Sequence, residues 1–347
     1  MDVLVASDSR LRQVAALRAL VGRTPLVEIH YRCDGESRRI YAKYEARNMT
    51  GSIKDRMACH ILAEAILGDR LAPGDLIVEA SSGNTGIAFA ALGRALGHPV
   101  RIHMPDWMSP ERRALILRFG AEVCDVSREE GGFVGAIERA QRDAHGVRGV
   151  FSPRQFENEA NVRAHASGTG PEILLQLEAF GRRPFAFVAG VGTGGTVMGV
   201  GRALRAAFPA CKVHPLEPAN SPTLRTGRKV GTHRIQGISD DFVPAVVDLA
   251  WLDDVVDVWD GDAILMAQAL ANRLGLAVGI SSGANVLGAM QLVERAARGH
   301  GSPHDAVVTV LCDSNKKYLS TDLVREEPVR DGYWTPRIEL ESFDAVP

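Results

Sequence analysis

Leu76-Ile77-Val78-Glu79-Ala80, then Ser81-Ser82-Gly83-Asn84-Thr85-Gly86, then the apolar run from Ile87 to Leu96: reading this stretch decides the fold. A pentapeptide apolar but for Glu79 leads directly into small hydroxyl residues, glycines and an asparagine, and then into a helix-like segment. Such a strand–loop–helix unit exposes backbone N–H groups at the carboxyl end of a strand. Ligands bind there in α/β sheets, and an anion such as a carboxylate is well held there.

The same alternation continues outward. Candidate strands are Leu76–Ala80, Val100–Met104, Phe185–Ala189, Val213–Leu216, Val255–Val258 and Ala306–Leu311. Several are continuous apolar runs, as parallel strands covered on both faces require. Helix-like segments between them include Ile87–Leu96, Glu111–Phe119, Gly132–Ala144, Thr169–Ala179 and Asp262–Arg273. The pattern predicts an α/β fold with a domain break near Gly149–Pro153.

Composition agrees with an ordinary globular protein. The chain has 347 residues, 46% of them apolar and 24% charged, which excludes a disordered or collagenous polymer. Acidic residues number 42 and basic residues 40, so neither nucleic acid nor an anionic membrane surface is an expected partner. Five scattered cysteines without a C-x-x-C argue for a reducing compartment, with no disulfide framework or structural zinc. The start of the sequence shows no signal-peptide pattern, and a cytoplasmic location is expected. Pro184–Gly201 carries no charge, but its glycines read as strand, loop and helix start rather than a membrane span.

Three further motifs carry chemistry. In Thr50-Gly51-Ser52-Ile53-Lys54-Asp55-Arg56, Ser52 and Asp55 have capping-box spacing. Ile53, Met57, Ile61 and Ala65 then recur at helical spacing up to Gly68. Lys54 falls in the first turn, where the helix field favours loss of its proton and use as an amine nucleophile. Gly192-Thr193-Gly194-Gly195-Thr196 follows a strand and precedes a helix, as a phosphate-binding loop does. Gly190-x-Gly192-x-x-Gly195, with Glu217 beyond it, also matches the dinucleotide fingerprint in form. In Gly279-Ile280-Ser281-Ser282-Gly283-Ala284 a serine caps a helix. No H-E-x-x-H is present, so a metal ligand set is not expected.

A reactive lysine, an anion loop, a phosphate loop and a late serine together suit pyridoxal 5'-phosphate. The chain resembles the cysteine synthase and cystathionine β-synthase family of fold-type II, tryptophan synthase β-like, pyridoxal phosphate enzymes. The resemblance runs from about Val21 to Leu323. It includes Gly22-Arg23-Thr24-Pro25-Leu26, Ser109–Arg113, Gln155-Phe156, Thr169-Gly170-Pro171-Glu172 and Gln236-Gly237-Ile238 besides the motifs above. It implies two domains, each an open twisted sheet flanked by helices. These are a smaller mobile one over 44–148 and a larger one over 1–43 plus 149–324, with a tail over 325–347. It implies that Lys54 forms the Schiff base and Asn84 meets the cofactor's ring oxygen. Ser81, Ser82, Gly83, Asn84 and Thr85, with Gln155, would clamp the substrate carboxylate. Gly192, Thr193, Gly194, Gly195 and Thr196 would cup the phosphate, and Ser281 would face the pyridine nitrogen. The implied activity is β-elimination and β-replacement on L-serine or L-cysteine derivatives through an aminoacrylate. A homodimer and a serine acetyltransferase partner are implied as well, the latter also offering a regulatory rather than enzymatic role.

The sequence departs from the family at Met49-Thr50, at Arg154 and at Ser239-Asp240-Asp241, where cysteine synthases carry small residues. An added carboxylate near the pocket mouth suits a neutral acceptor that needs a general base. Asp240 and Asp241 are therefore candidate catalytic residues, and Asp241 is slightly preferred. The acceptor reading extends from cysteine synthesis to sulfide-releasing cysteine breakdown, cystathionine formation and 2,3-diaminopropionate formation.

Overall fold

Apolar residues fill both faces of the central strands, so the sheets are built to be covered on both sides. The computed structural model describes residues 2–239, 241–298 and 305–347. In chain order its strands are β1 Leu26–Cys33, β2 Glu36–Tyr44, β3 Leu76–Ala80, β4 Val100–Pro105, β5 Glu122–Val126 and β6 Val150–Phe151. They continue with β7 Arg183–Gly190, β8 Lys212–Pro218, β9 Val256–Val258, β10 Asp305–Leu311 and β11 Ile338–Val346. The larger sheet runs β11-β1-β2-β10-β7-β8-β9, and the smaller runs β5-β4-β3-β6. The smaller sheet is wholly parallel, as is the larger from β2 onward. β1 is antiparallel to both of its neighbours.

Alternation within β7 shows how the larger sheet is held. Ala186 and Val188 pack toward helices Asp260–Leu274 and Ile280–Arg298. Phe187 and Ala189 pack on the other face, toward helices Gly170–Ala179 and Gly195–Ala207. In the smaller sheet Ile77 and Ile102 meet helices Lys54–Leu67 and Asn84–Ala95. Val78 and Ala80 meet helix Gly132–Ala144. Each valine, isoleucine or phenylalanine among these contributes about 1.5–3 kcal/mol when fully buried.

The expected strands and helices are all present; β3 and helix Gly132–Ala144 match end to end. The uncharged run splits into β7, a loop and a helix start, and among the described residues no helix is long and apolar enough to cross a membrane.

Three differences concern the domain limits. Helix Asp2–Leu20 places Val14 and Leu17 in the core of the smaller sheet, although residues 1–43 are expected with the larger half. β6 pairs with β3, so the smaller sheet reaches past 148. The 325–347 stretch is not a separate tail. Its β11 pairs with β1 from Leu26↔Val346 to Cys33↔Ile338, and His30 Nε2 lies 3.1 Å from Asp344 Oδ2 across the pair.

A buried polar cluster ties the two sheets together. Arg56, in the first turns of helix Lys54–Leu67, donates to Glu45 at 2.6 and 2.8 Å, to Glu172 at 2.8 and 2.7 Å, and to Thr24 Oγ1 at 3.0 Å. Lys43, wholly buried, reaches Glu172 at 2.8 Å and Gln176 at 2.7 Å. The guanidinium holds Glu45 below the usual carboxylate range despite complete burial, and Glu172 falls to about 2.

Cross-strand pairs contribute about 0.2–1 kcal/mol each, and β11 also covers an exposed edge. Deleting 338–347 should therefore lower the melting temperature by roughly 5–10 °C. An unchanged melting curve would show that the segment adds nothing to the fold.

Candidate active site

The carboxyl ends of β3, β7 and β10 and the helix starts beside them converge on one cleft. Lys54, Ser281 and Cys312 line one part, Ser81–Thr85 with Gln155 and Arg112 a second, and Gly192, Thr193, Thr196 and Gln236–Ile238 a third.

Lys54 is the first residue of its helix, but the expected capping box does not form. The Ser52 hydroxyl is buried without a partner. The Asp55 carboxylate turns back to accept from Thr50 N at 2.6 Å and from the Thr50 hydroxyl. Burial lifts Asp55 to about 6. The loop is fixed through its backbone instead: Ile53 N donates to Cys312 O at 2.9 Å and Ser314 N to Gly51 O at 3.3 Å. Lys54 is thereby tied to the end of β10.

The loop after β3 is braced from within. Ser81 Oγ accepts from Gly83 N at 3.0 Å and Gly86 N at 2.8 Å. Thr85 Oγ1 donates to Gln155 Oε1 at 2.7 Å, and Gln155 Nε2 donates to Ala80 O at 2.7 Å. Asn84 Nδ2 donates to Asp313 Oδ2 at 2.7 Å, while its Oδ1 accepts from Lys317 Nζ at 2.8 Å. Ser82 and Gly83 also line the cavity. A side chain at Gly83 would meet Arg112 Cδ at 2.6 Å.

The loop after β7 opens helix Gly195–Ala207, whose first N–H groups have no intrahelical acceptor. Gly194 has φ +84°, a conformation glycine adopts without strain. A side chain at Gly192 would meet Gly237 O at 2.3 Å, so the loop lies where only glycine fits. Thr193 Oγ1 accepts from Asn161 Nδ2 at 2.9 Å, and Thr196 Oγ1 lies 3.4 Å from His165 Nε2. Burial, with Arg56 and Lys54 nearby, keeps His165 neutral far below its ordinary range. Glu217, the acidic residue of the dinucleotide reading, is wholly buried and accepts from Leu224 N at 2.6 Å.

Ser281, the second residue of helix Ile280–Arg298, is buried at the cavity beside Cys312. Burial pushes the Cys312 thiol up to about 12, so it is neutral. Asp241 lies outside this cavity, in a vestibule with Trp107, Arg128 and His233, and accepts from Lys229 at 2.6 Å. Asp240 falls outside the described residues.

Three lining or bracing residues were not singled out as site residues by the sequence. Arg112 is almost fully buried, donates to Gln236 Oε1 and stacks 4.6 Å from the Tyr318 ring centroid. Asp313 and Lys317 hold Asn84 from the far end of the chain. The only signals were Ser109–Arg113 for the first and charged residues directly after an apolar strand for the others.

The pattern of the family described as pyridoxal-phosphate dependent enzyme matches residues 17–313. The chain belongs to that family. It is 39% identical over 313 residues to a probable cysteine synthase of Bacillus subtilis (strain 168), covering 90% of this chain and 98% of that one. It is also similar to the crystal structure of a hydrogen sulfide-producing enzyme from Fusobacterium nucleatum. The TM-score there is 0.93 at 50% identity, over 97% of this chain and 99% of that one. An aspartate-to-asparagine mutant of that enzyme, lysine-dimethylated and complexed with an α-aminoacrylate intermediate, has TM-score 0.91 at 51% identity, over 95% and 97%.

The cavity's residues fit pyridoxal phosphate. It joins a lysine amine, a glycine loop at a helix N-terminus with two threonine hydroxyls, and a buried serine hydroxyl.

Glu79, in β3 behind the anion loop, accepts from Ala80 N at 2.9 Å and Gln155 N at 3.2 Å. Burial lifts it to about 7 from an ordinary 4.5. A raised carboxyl pKa means that the folded protein binds the proton more tightly. The associated stability is complete below about pH 4.5 and is lost as pH rises through about 7. Over that window Glu79→Gln should flatten the fall in unfolding free energy by about 1–3 kcal/mol relative to the parent. Parallel curves for the two proteins, read by denaturant titration, would refute the shift.

Proposed function

We propose that the protein catalyses β-elimination and β-replacement on L-cysteine and related L-serine derivatives, releasing hydrogen sulfide when cysteine is the substrate. The observation that carries this reading is half-identity over nearly the whole chain with the Fusobacterium hydrogen sulfide-producing enzyme. A second reading, synthesis of cysteine from an activated serine and sulfide, is supported by the Bacillus relative.

When bound, pyridoxal phosphate supplies an electron sink for loss of the α proton and departure of the β substituent. Lys54 would attach it and carry a proton at Nζ. The loop Gly192–Thr196 would hold its phosphate through helix N–H groups and threonine hydroxyls. Asn84 would meet the ring oxygen. Ser281, a neutral hydroxyl, would face the ring nitrogen without holding it protonated, which favours departure of a β substituent over fuller carbanion chemistry. Ser81–Thr85 and Gln155 would orient the substrate carboxylate. Closure of the body around the smaller sheet would exclude water during the reaction.

The acidic loop gives the acceptor step its character. Asp240 or Asp241 would take a proton from water or a thiol, a contribution of about 10²–10⁴-fold. The Fusobacterium mutant held with its intermediate supports a role for an acidic residue in consuming it. A homodimer, and a serine acetyltransferase tail competing at the carboxylate loop, belong to the same family-based reading.

Lys54→Ala should abolish turnover and the borohydride-reducible attachment of the cofactor; retention of that attachment at another lysine would remove Lys54 from its role. Supplying cysteine alone, or O-acetylserine with sulfide, separates the two readings by product. Serine and sulfide from cysteine is the expected outcome, and cysteine synthesis alone would favour the second. For the aspartates, Asp240→Asn and Asp241→Asn should be followed separately by stopped flow. At least tenfold slowing of acceptor addition in one variant, with departure of the β substituent unchanged, is expected; parental rates in both would exclude them.

A further inference from the structure

Behind the anion loop lie three charged or polar side chains for which the reaction so far has no use. Asp313 is wholly buried, Lys317 nearly so, and Tyr318 lies between them and Arg112. Asp313 Oδ2 accepts two hydrogen bonds, from Asn84 Nδ2 at 2.7 Å and from Tyr318 OH at 2.7 Å. Lys317 Nζ donates to Asn84 Oδ1 at 2.8 Å and reaches Gly51 O at 3.4 Å. Burial lowers the Lys317 pKa, and Asp313 and Asp55 oppose that fall.

An asparagine amide has a donor end and an acceptor end of nearly equal size, so its direction is set by its partners. Here both partners are one-sided. An ammonium only donates, and the carboxylate oxygen, which already accepts a hydrogen bond from Tyr318, only accepts. Turning the Asn84 amide over would set its NH2 against the ammonium and its oxygen against the carboxylate. Two buried hydrogen bonds would be lost at once, each leaving polar atoms unsatisfied at about 1–3 kcal/mol.

We infer that Lys317 and Asp313 are positioning residues that lock the Asn84 amide in one direction, so that Asn84 presents a donor to the cavity. The ligand atom it selects is then an oxygen acceptor, best an anionic one. This rests on the reading that Asn84 meets the cofactor's ring oxygen. Under that reading the lock favours the ionised oxygen, and it reaches the site from residues more than two hundred positions away in the chain.

The test uses the full chain, stripped of cofactor and titrated with pyridoxal phosphate. Lys317→Met and Asp313→Asn should each weaken cofactor binding at least tenfold and shift the absorbance maximum of the bound cofactor. Lys317→Arg should restore both. Melting curves of the cofactor-free variants report folding, and Lys317→Gln serves where Lys317→Met fails to fold. Asn84→Ala separates the two levels of the inference. A parental spectrum and affinity in Asn84→Ala would remove Asn84 from the ring oxygen, and the lock's consequence with it. Altered binding in Asn84→Ala together with parental values in folded Lys317 and Asp313 variants would overturn the lock alone.

Discussion

The architecture turns on one buried guanidinium. Arg56 sits two residues after Lys54 and is gripped by Glu45 from just past the end of β2 and by Glu172 from the start of helix Gly170–Ala179. Taking these charges out of water costs several kcal/mol per ion, and only full hydrogen bonding offsets it. The fork geometry supplies that bonding, because arginine matches two carboxylates at once. Removing one partner would strand the others. The position of the reactive lysine is therefore not a property of its own helix alone. It follows from an electrostatic knot between segments that no local sequence preference brings together.

With that helix fixed, the cavity needs few further parts. Its walls come from loops at strand ends, and each loop is held by side chains turned away from the ligand. Ser81 and Thr85 spend their hydroxyls on the loop and on Gln155. Thr193 and Thr196 are backed by Asn161 and a neutral His165. The rigid second layer allows first contacts made largely of backbone and small hydroxyls, which suit a cofactor phosphate and a substrate carboxylate.

What the sequence revealed, and what it hid, follow from the range of the interactions. β3, its loop and helix Asn84–Ala95 were legible because strand, turn chemistry and helix start are consecutive. β1 and β2 were passed over because Glu28, His30, Arg32, Arg38 and Arg39 interrupt their apolar pattern. Glu28 is buried where Tyr41 OH and Arg39 Nη1 donate to it, at 2.6 and 3.2 Å, from the neighbouring strand. β11 has one pairing edge and little buried surface, so its periodicity is weak. The capping box failed for a related reason: Thr50 claimed the carboxylate that spacing had assigned to the cap. Lysine, anion loop and glycine loop were readable as motifs. Arg112, Asp313 and Lys317 were not, because their parts are defined by contacts across the fold.

The pairing of β11 with β1 also sets an order on folding. β1 appears early in the chain, and the strand that covers its edge follows almost the whole remaining sequence. At about 5–20 residues per second, a nascent β1 edge waits roughly 15–60 s for its partner. Until then it is an unpaired ladder of N–H and C=O groups, the kind of template on which neighbouring chains assemble. The charges that obscured β1 in the sequence, Glu28, His30 and Arg32, stand along that waiting edge. Polar side chains along an unpaired edge disfavour such assembly, and Arg32 donates to Glu341 at 2.6 Å once β11 arrives.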